Sequence, residues 1–350
     1  MVLFFAVAPV LVMYSMGYRY DFAKAKIVAT GGIYVRTFPT ADQVSIDSTK
    51  AQKPSMFANS VFTQNLLPGD HSVSVKKDGY YDYYKNLPVL EKEVTKIENI
   101  ILFKKDILFE EITNKKASPF LPENQPEKFT IVANNLYYSD STQNAKLTTL
   151  QKNTPLIKNL VAFTTSGNSI IWLATDGFLY KSEVSALKIT PEKLNLEALK
   201  IVKTGNYKID IEGSIFINNN GNLLTLDNQT KTFKTFATFV NDFSFSPDRK
   251  NVVYSTGKKI YVSLLVDESK KISLLYDSPE IISGLTWFNN DYIIFIPGSK
   301  IIISEIDYRG NVNSITLPQF ALPKVIFNQQ ENKLYVLTAG KVQVSEKLIP

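Results

Sequence analysis

Cysteine is absent from the 350 residues, and histidine occurs once, as His71. The first absence excludes disulfides, thiol nucleophiles, iron–sulfur centres and thiolate zinc clusters. The second leaves any imidazole general base, and any serine–histidine–carboxylate triad, to His71 alone. Arginine is also scarce: among 39 basic residues only Arg19, Arg36, Arg249 and Arg309 are arginines, and the lysines are scattered rather than clustered. Nucleic-acid surfaces favour clustered Lys and Arg, so the net charge of +6 does not indicate a nucleic-acid partner. It suits loose attraction to an anionic membrane or an acidic polymer, or plain solubility. Neither an Asp-x-Asp-x-Asp-Gly calcium loop nor a phosphate-binding glycine loop occurs. No metal, cofactor or catalytic residue is therefore expected.

The chain is rich instead in apolar and aromatic residues, 44% and 12% of the total, ample for cores in two or three domains. Met1 to Tyr18 is an uncharged run that as one helix would reach about 27 Å, close to a bilayer's hydrocarbon thickness. A single membrane span is the expectation. A cleaved signal peptide fits less well, because the small-x-small triplet Ala6-Val7-Ala8 lies inside the run. Tyr14, Tyr18 and Tyr20 suit an interfacial belt, followed by Arg19, Lys24 and Lys26. That basic flank argues for a cytoplasmic bulk, whereas an export reading requires basic residues ahead of Val2; export is the expectation, with soluble domains outside the cytoplasm.

From Ile27 to Lys104 short β-favouring runs alternate with turn residues, among them Val44-Ser45-Ile46 and His71 to Val75. Pro68-Gly69 and Asp78-Gly79 set tight turns, since proline fixes φ and glycine tolerates positive φ. The segments Gly31 to Ala41 and Leu66 to Tyr80, the latter reading Leu-Leu-Pro-Gly-Asp-His-Ser-Val-Ser-Val-Lys-Lys-Asp-Gly-Tyr, resemble the PEGA domain family. The resemblance implies a compact β-sandwich-like module on a surface or envelope protein, used for binding or spacing, with no catalytic residues to carry over. The eponymous turn departs from the family pattern, because Thr40-Ala41 stands where that pattern has glutamate, glycine and alanine. His71 is expected to be structural. Tyr80, Tyr81, Tyr83 and Tyr84 flank Asp82 and form a candidate binding patch for a protein or sugar, or else pack within strands.

Lys104 to Lys128 reads as a connector with room to lend one strand to the C-terminal part of the chain. That C-terminal part repeats. Val252-Val253-Tyr254 with Lys259 to Ser263 recurs as Ile293-Ile294-Phe295 with Lys300 to Ser304, and again as Leu334-Tyr335-Val336 with Lys341 to Ser345. Looser copies begin near Phe129, Ile170 and Ser214. A period near forty residues points to propeller blades, about six, with five to seven possible. Phe243 to Tyr254, containing Ser246-Pro247-Asp248, resembles the WD40-like repeat of the TolB type. Asp176, Asp248 and Asp291 stand at repeat turns and are expected to be turn-formers rather than a carboxylate ring, and Trp172 and Trp287 to be core residues. Ser185 to Lys203 fits two strands or a short inserted helix.

The expected plan is all-β: an anchor over 1–18, a juxtamembrane segment over 19–28, a PEGA-like domain over 29–104, a linker over 105–127 and a propeller over 128–350. The expected function is non-catalytic binding of a protein or surface polysaccharide at the cell envelope. A cytoplasmic-facing scaffold or sensor is the alternative, and a propeller hydrolase or lyase would need paired carboxylates converging at a channel mouth.

Overall fold

A computed structural model of the chain describes residues 2–47, 51–55, 58–112, 129–132, 134–138, 155–183, 189–265 and 271–349. Two compact units divide the chain discontinuously: one joins Met1–Thr113 to Phe288–Pro350, and the other is Asn114–Trp287. The regular structure of the described residues is β apart from a single α-helix, α1, over Val2–Ser15.

The N-terminal span expected over 1–18 is corrected here. Helix α1 has 14 residues, or about 21 Å against a hydrocarbon thickness of about 30 Å, and no helix among the described residues is long and apolar enough to cross a membrane. The physical reason is Gly17, whose φ of 84° ends the helix and whose carbonyl accepts both the Thr30 amide and the Thr30 hydroxyl. The chain then forms a hairpin of β1 (Tyr18–Asp21) and β2 (Lys26–Ala29) where a juxtamembrane segment was expected.

Next comes a module of two three-stranded sheets. β3 (Gly31–Phe38) lies between β5 (Ser60–Leu66), antiparallel, and β8 (Val94–Ile101), parallel. β6 (Gly69–Lys76) lies between β4 (Gln43–Ile46) and β7 (Tyr83–Val89), both antiparallel. Period-two alternation sends Ile33, Val35, Val44, Val73, Val75 and Leu87 into one shared core.

The repeat forms antiparallel sheets. In the second unit a pair of strands over 129–138 precedes four-stranded sheets spanning 160–193, 207–238 and 242–277. The cause is visible in strand Ser169–Ala174, where Ile170 and Trp172 enter one core while Ile171 and Leu173 enter another. Both faces of such a strand are apolar, so each sheet must be covered on two sides. Strand Ser214–Asn219 repeats this, with Ile215 and Ile217 on one side and Phe216 on the other. Glu192–Lys193 supplies the fourth strand of its sheet, so of the alternatives for Ser185 to Lys203 the described residues show strand and no helix; 184–188 lie outside them.

In the first unit Tyr292–Pro297, Ile302–Glu305 and Ser314–Thr316 pair in sequence. The last sheet runs through Lys324–Asn328, Lys333–Thr338 and Lys341–Ser345, and takes its outer strand from β9 (Phe109–Glu111). The connector thus lends its one strand to the end of the repeat; its remainder over 113–127 lies outside the described residues.

Candidate functional site

The four tyrosines expected to form one patch are separated by strand alternation and turn geometry. Tyr83 is buried, and its hydroxyl donates to Glu305 Oε2 at 2.8 Å. Tyr84, its neighbour on the opposite face of β7, is half exposed and donates to Asp82 at 2.9 Å. Tyr80 packs on the module core, and Tyr81 packs on the core beneath the last two sheets. His71 lies between Asp47 Oδ2, at 2.6 Å from Nδ1, and the Leu67 carbonyl, at 2.7 Å from Nε2. It ties two loops of the module together. Asp176 accepts the Phe178 amide and Asp248 accepts the Ser246 hydroxyl, both within their own turns. Trp172 and Trp287 are buried.

The residues that the fold does bring together start from Lys85. In β7 it is in phase with Tyr83, Leu87 and Val89, and it is 1% exposed. A cation in an apolar phase must be paired and fully hydrogen-bonded to be tolerated. Lys85 Nζ donates to Glu305 Oε1 at 2.6 Å and to the carbonyls of Asp307 and Asn311 at 2.7 and 3.0 Å. Glu305 Oε1 also accepts the Asn313 amide and its side-chain NH2, at 2.8 and 2.9 Å. Both partners therefore have their hydrogen-bonding capacity met without water.

The loop after Glu305 completes the clasp. Asp307 is gripped by the Arg309 guanidinium, with contacts of 2.9 and 2.8 Å to its two oxygens. Burial alone would push the Asp307 carboxyl up, but Arg309 and Lys85 outweigh it and hold the carboxyl below its ordinary range. Asn311 and Asn313 accept the amides of Asn86 and Tyr84, each at 3.1 Å, and Asn311 donates to the Tyr84 carbonyl at 2.6 Å. Side-chain amides thus stand in for a missing neighbour along the free edge of β7. Gly310 permits this: its φ is 62°, and a Cβ there would lie 2.1 Å from the Asn86 carbonyl oxygen.

A second clasp lies 41 residues after Glu305. Glu346 pairs with Lys104, which holds its carboxyl below the ordinary range. Both glutamates come directly after a buried serine, Ser304 or Ser345, whose hydroxyl donates to the glutamate's own carbonyl. Between these clasps Tyr292 is buried and accepts the Ile101 amide at 3.1 Å; burial and the nearby Glu305 charge push its phenol up.

Beside the first clasp is a cleft of about 290 Å³, walled by Lys96, Glu98 and Asn99 of β8 on one side and Asp291, Asp307 and Arg309 on the other. Lys96 and Glu98 also border a hollow of about 250 Å³ over Tyr34, Phe62 and Val94, on the outer face of the β5–β3–β8 sheet. Phe62 and Val94 are 45% and 44% exposed, and the Tyr34 and Phe62 rings are 6.5 Å apart at 59°. Gly32 makes room for the Phe62 ring, which a Cβ would meet at 2.9 Å. Among the described residues no group of three or more His, Cys, Asp or Glu side chains could hold a metal ion.

No family model matches the chain, and no curated protein matches it. Among solved structures it is similar to the β-propeller domain of Cps50 (Swd1) from Myceliophteria thermophila, at 8% identity and TM-score 0.38, over 52% of this chain and 66% of that one. A functionally unknown protein from Desulfotomaculum acetoxidans is similar at 13% identity and TM-score 0.38, over 53% of this chain and 64% of that one. A gluconolactonase from Xanthomonas campestris is similar at 13% identity and TM-score 0.36, over 52% and 69%. The chain thus spans just under two thirds of the first two.

Proposed function

We propose that the chain is a non-catalytic binding protein, tethered at a membrane by its N-terminal segment, that engages a protein partner through the outer face of the β5–β3–β8 sheet. The observation that carries this reading is the continuous surface from Tyr34, Phe62 and Val94, through Lys96 and Glu98, into the cleft beside Arg309. Exposed aromatic anchors bordered by charges of both signs are the composition of protein-binding hot spots. A partner segment that lays an apolar side chain across Tyr34 and Phe62, and sets opposite charges against Lys96 and Glu98, matches it.

Two of the cleft's four carboxylates are already engaged by neighbouring side chains. Asp307 is held ionised by Arg309 and Lys85. Glu305 is engaged by Lys85, Tyr83 and Asn313. The resemblance of 29–104 to PEGA modules agrees with a binding role.

The test is a photo-crosslinking amino acid at Phe62 in the full chain expressed in its native cells, with Phe239, 83% exposed in the other unit, as the control position. The expected result is a discrete protein adduct at Phe62 only, reduced several-fold by Tyr34→Ala and by the charge reversal Lys96→Glu. Equal labelling at Phe239, an adduct indifferent to both substitutions, or an adduct with glycan alone would overturn the reading.

A further inference from the structure

Helix α1 exposes apolar side chains on every side. Pro9, Val10, Leu11 and Val12 make one full turn at about 100° per residue, and all four are exposed, the last three at 63%, 61% and 55%. A protein neighbour would cover one stripe of such a helix; acyl chains cover all of it. The hairpin after it has a different composition. Tyr20, Phe22 and Ile27 are 49%, 87% and 54% exposed, and the Tyr20 and Phe22 rings meet edge to face at 5.0 Å. Beside them are exposed Lys26 and Lys24, the latter half exposed while it reaches Asp21 and the Pro68 carbonyl.

Arg19 fixes this hairpin to the helix end. Its guanidinium lies 3.5 Å from the centre of the Tyr14 ring and donates to the carbonyls of Tyr14 and Tyr18 and to Asn65 Oδ1 of β5. Apolar helix, aromatic hairpin and lysines therefore succeed one another along a braced path, in the order in which a bilayer presents acyl chains, the interfacial zone and phosphate headgroups.

From this we infer that β1–β2 is an interfacial collar that seats on a bilayer bearing anionic headgroups, with Phe22, Tyr20 and Ile27 at the acyl boundary and Lys24 and Lys26 among the phosphates. The inference rests on the membrane-tethered part of the reading above. The all-round exposure of α1 and the adjoining lysines select this occupant: opposite charge draws lysines to an anionic surface, and the attraction adds with each one.

The test uses Leu11→Trp and Phe22→Trp in the full chain, reconstituted into phosphatidylcholine vesicles with and without phosphatidylglycerol and carrying brominated acyl chains. The native Trp172 and Trp287 are buried and provide the baseline. Both new tryptophans are expected to be quenched, Leu11→Trp by deep bromines and Phe22→Trp by shallow ones. In phosphatidylglycerol vesicles, Lys24→Glu with Lys26→Glu should reduce Phe22→Trp quenching several-fold. Quenching of Leu11→Trp with none of Phe22→Trp, measured against Phe239→Trp, would overturn the collar and leave the tether standing. Quenching of neither would overturn both, and quenching indifferent to phosphatidylglycerol and to charge reversal would overturn the anionic assignment.

Discussion

Lys85 shows how one residue can commit two parts of a chain to each other. Its ammonium group stabilises the fold only because Glu305 and two carbonyls receive it, and Glu305 in turn relies on Lys85. Lys85→Met keeps the stem's volume but leaves the buried carboxylate without its cation, and should cost about 3–5 kcal/mol in urea unfolding of the full chain. Adding Glu305→Leu should restore part of that loss, the remainder reflecting the Asp307 and Asn311 carbonyls left without a donor. Asp307 adds a pH signature. Its folded pKa lies below the ordinary 3.8, so its contribution is complete above that value and disappears as pH falls through the folded pKa. Arg309→Leu should lower the unfolding midpoint at neutral pH and flatten its decline toward about pH 3. At this scale the sequence is partly legible: in Tyr83-Tyr84-Lys85-Asn86-Leu87 the alternation that buries Tyr83 and Leu87 buries Lys85 too. Its partner is not legible, because nothing local to Ser304-Glu305 shows which cation, 220 residues away, will meet it.

Elements are easier to read than residues. The 41-residue period shows in the sequence because each sheet reuses the same strand pair, and the paired strands over 251–264, 292–305 and 333–345 match the quoted repeats. Helix α1 is shorter than its composition suggests, since apolarity continues through Tyr18 while Gly17 redirects the backbone. The outer strand of the final sheet has only a weak signal: β9 is three residues long and is found before the repeat begins. Glu110→Pro, at a position paired with Val344, should open that edge and raise protease sensitivity around Lys341–Ser345 in limited digestion. The asparagine caps on β7 depend on Gly310. Gly310→Ala should cost about 1–3 kcal/mol through positive φ and the collision with the Asn86 carbonyl, whereas Gly213→Ala, whose Cβ meets nothing, should cost the φ strain alone.

For the whole molecule, the feature that matters is that the first unit is assembled from both ends of the chain. A chain ending at Trp287 retains every strand of the small module but loses Glu305, Tyr292 and Glu346. It should therefore unfold at lower urea than the full chain when monitored by hydrogen-exchange protection of the His71-containing strand; equal protection would show that the module is self-sufficient. The same discontinuity imposes an order on biosynthesis. At about 5–20 residues per second, Lys85 leaves the ribosome on the order of ten to forty seconds before its carboxylate is made. During that interval the module lacks the carboxylate that receives Lys85 Nζ. The late-made partner of Lys85 thus acts as a timer on the module, and a nascent chain stalled before Glu305 presents that module without its clasp to the cell's proteases.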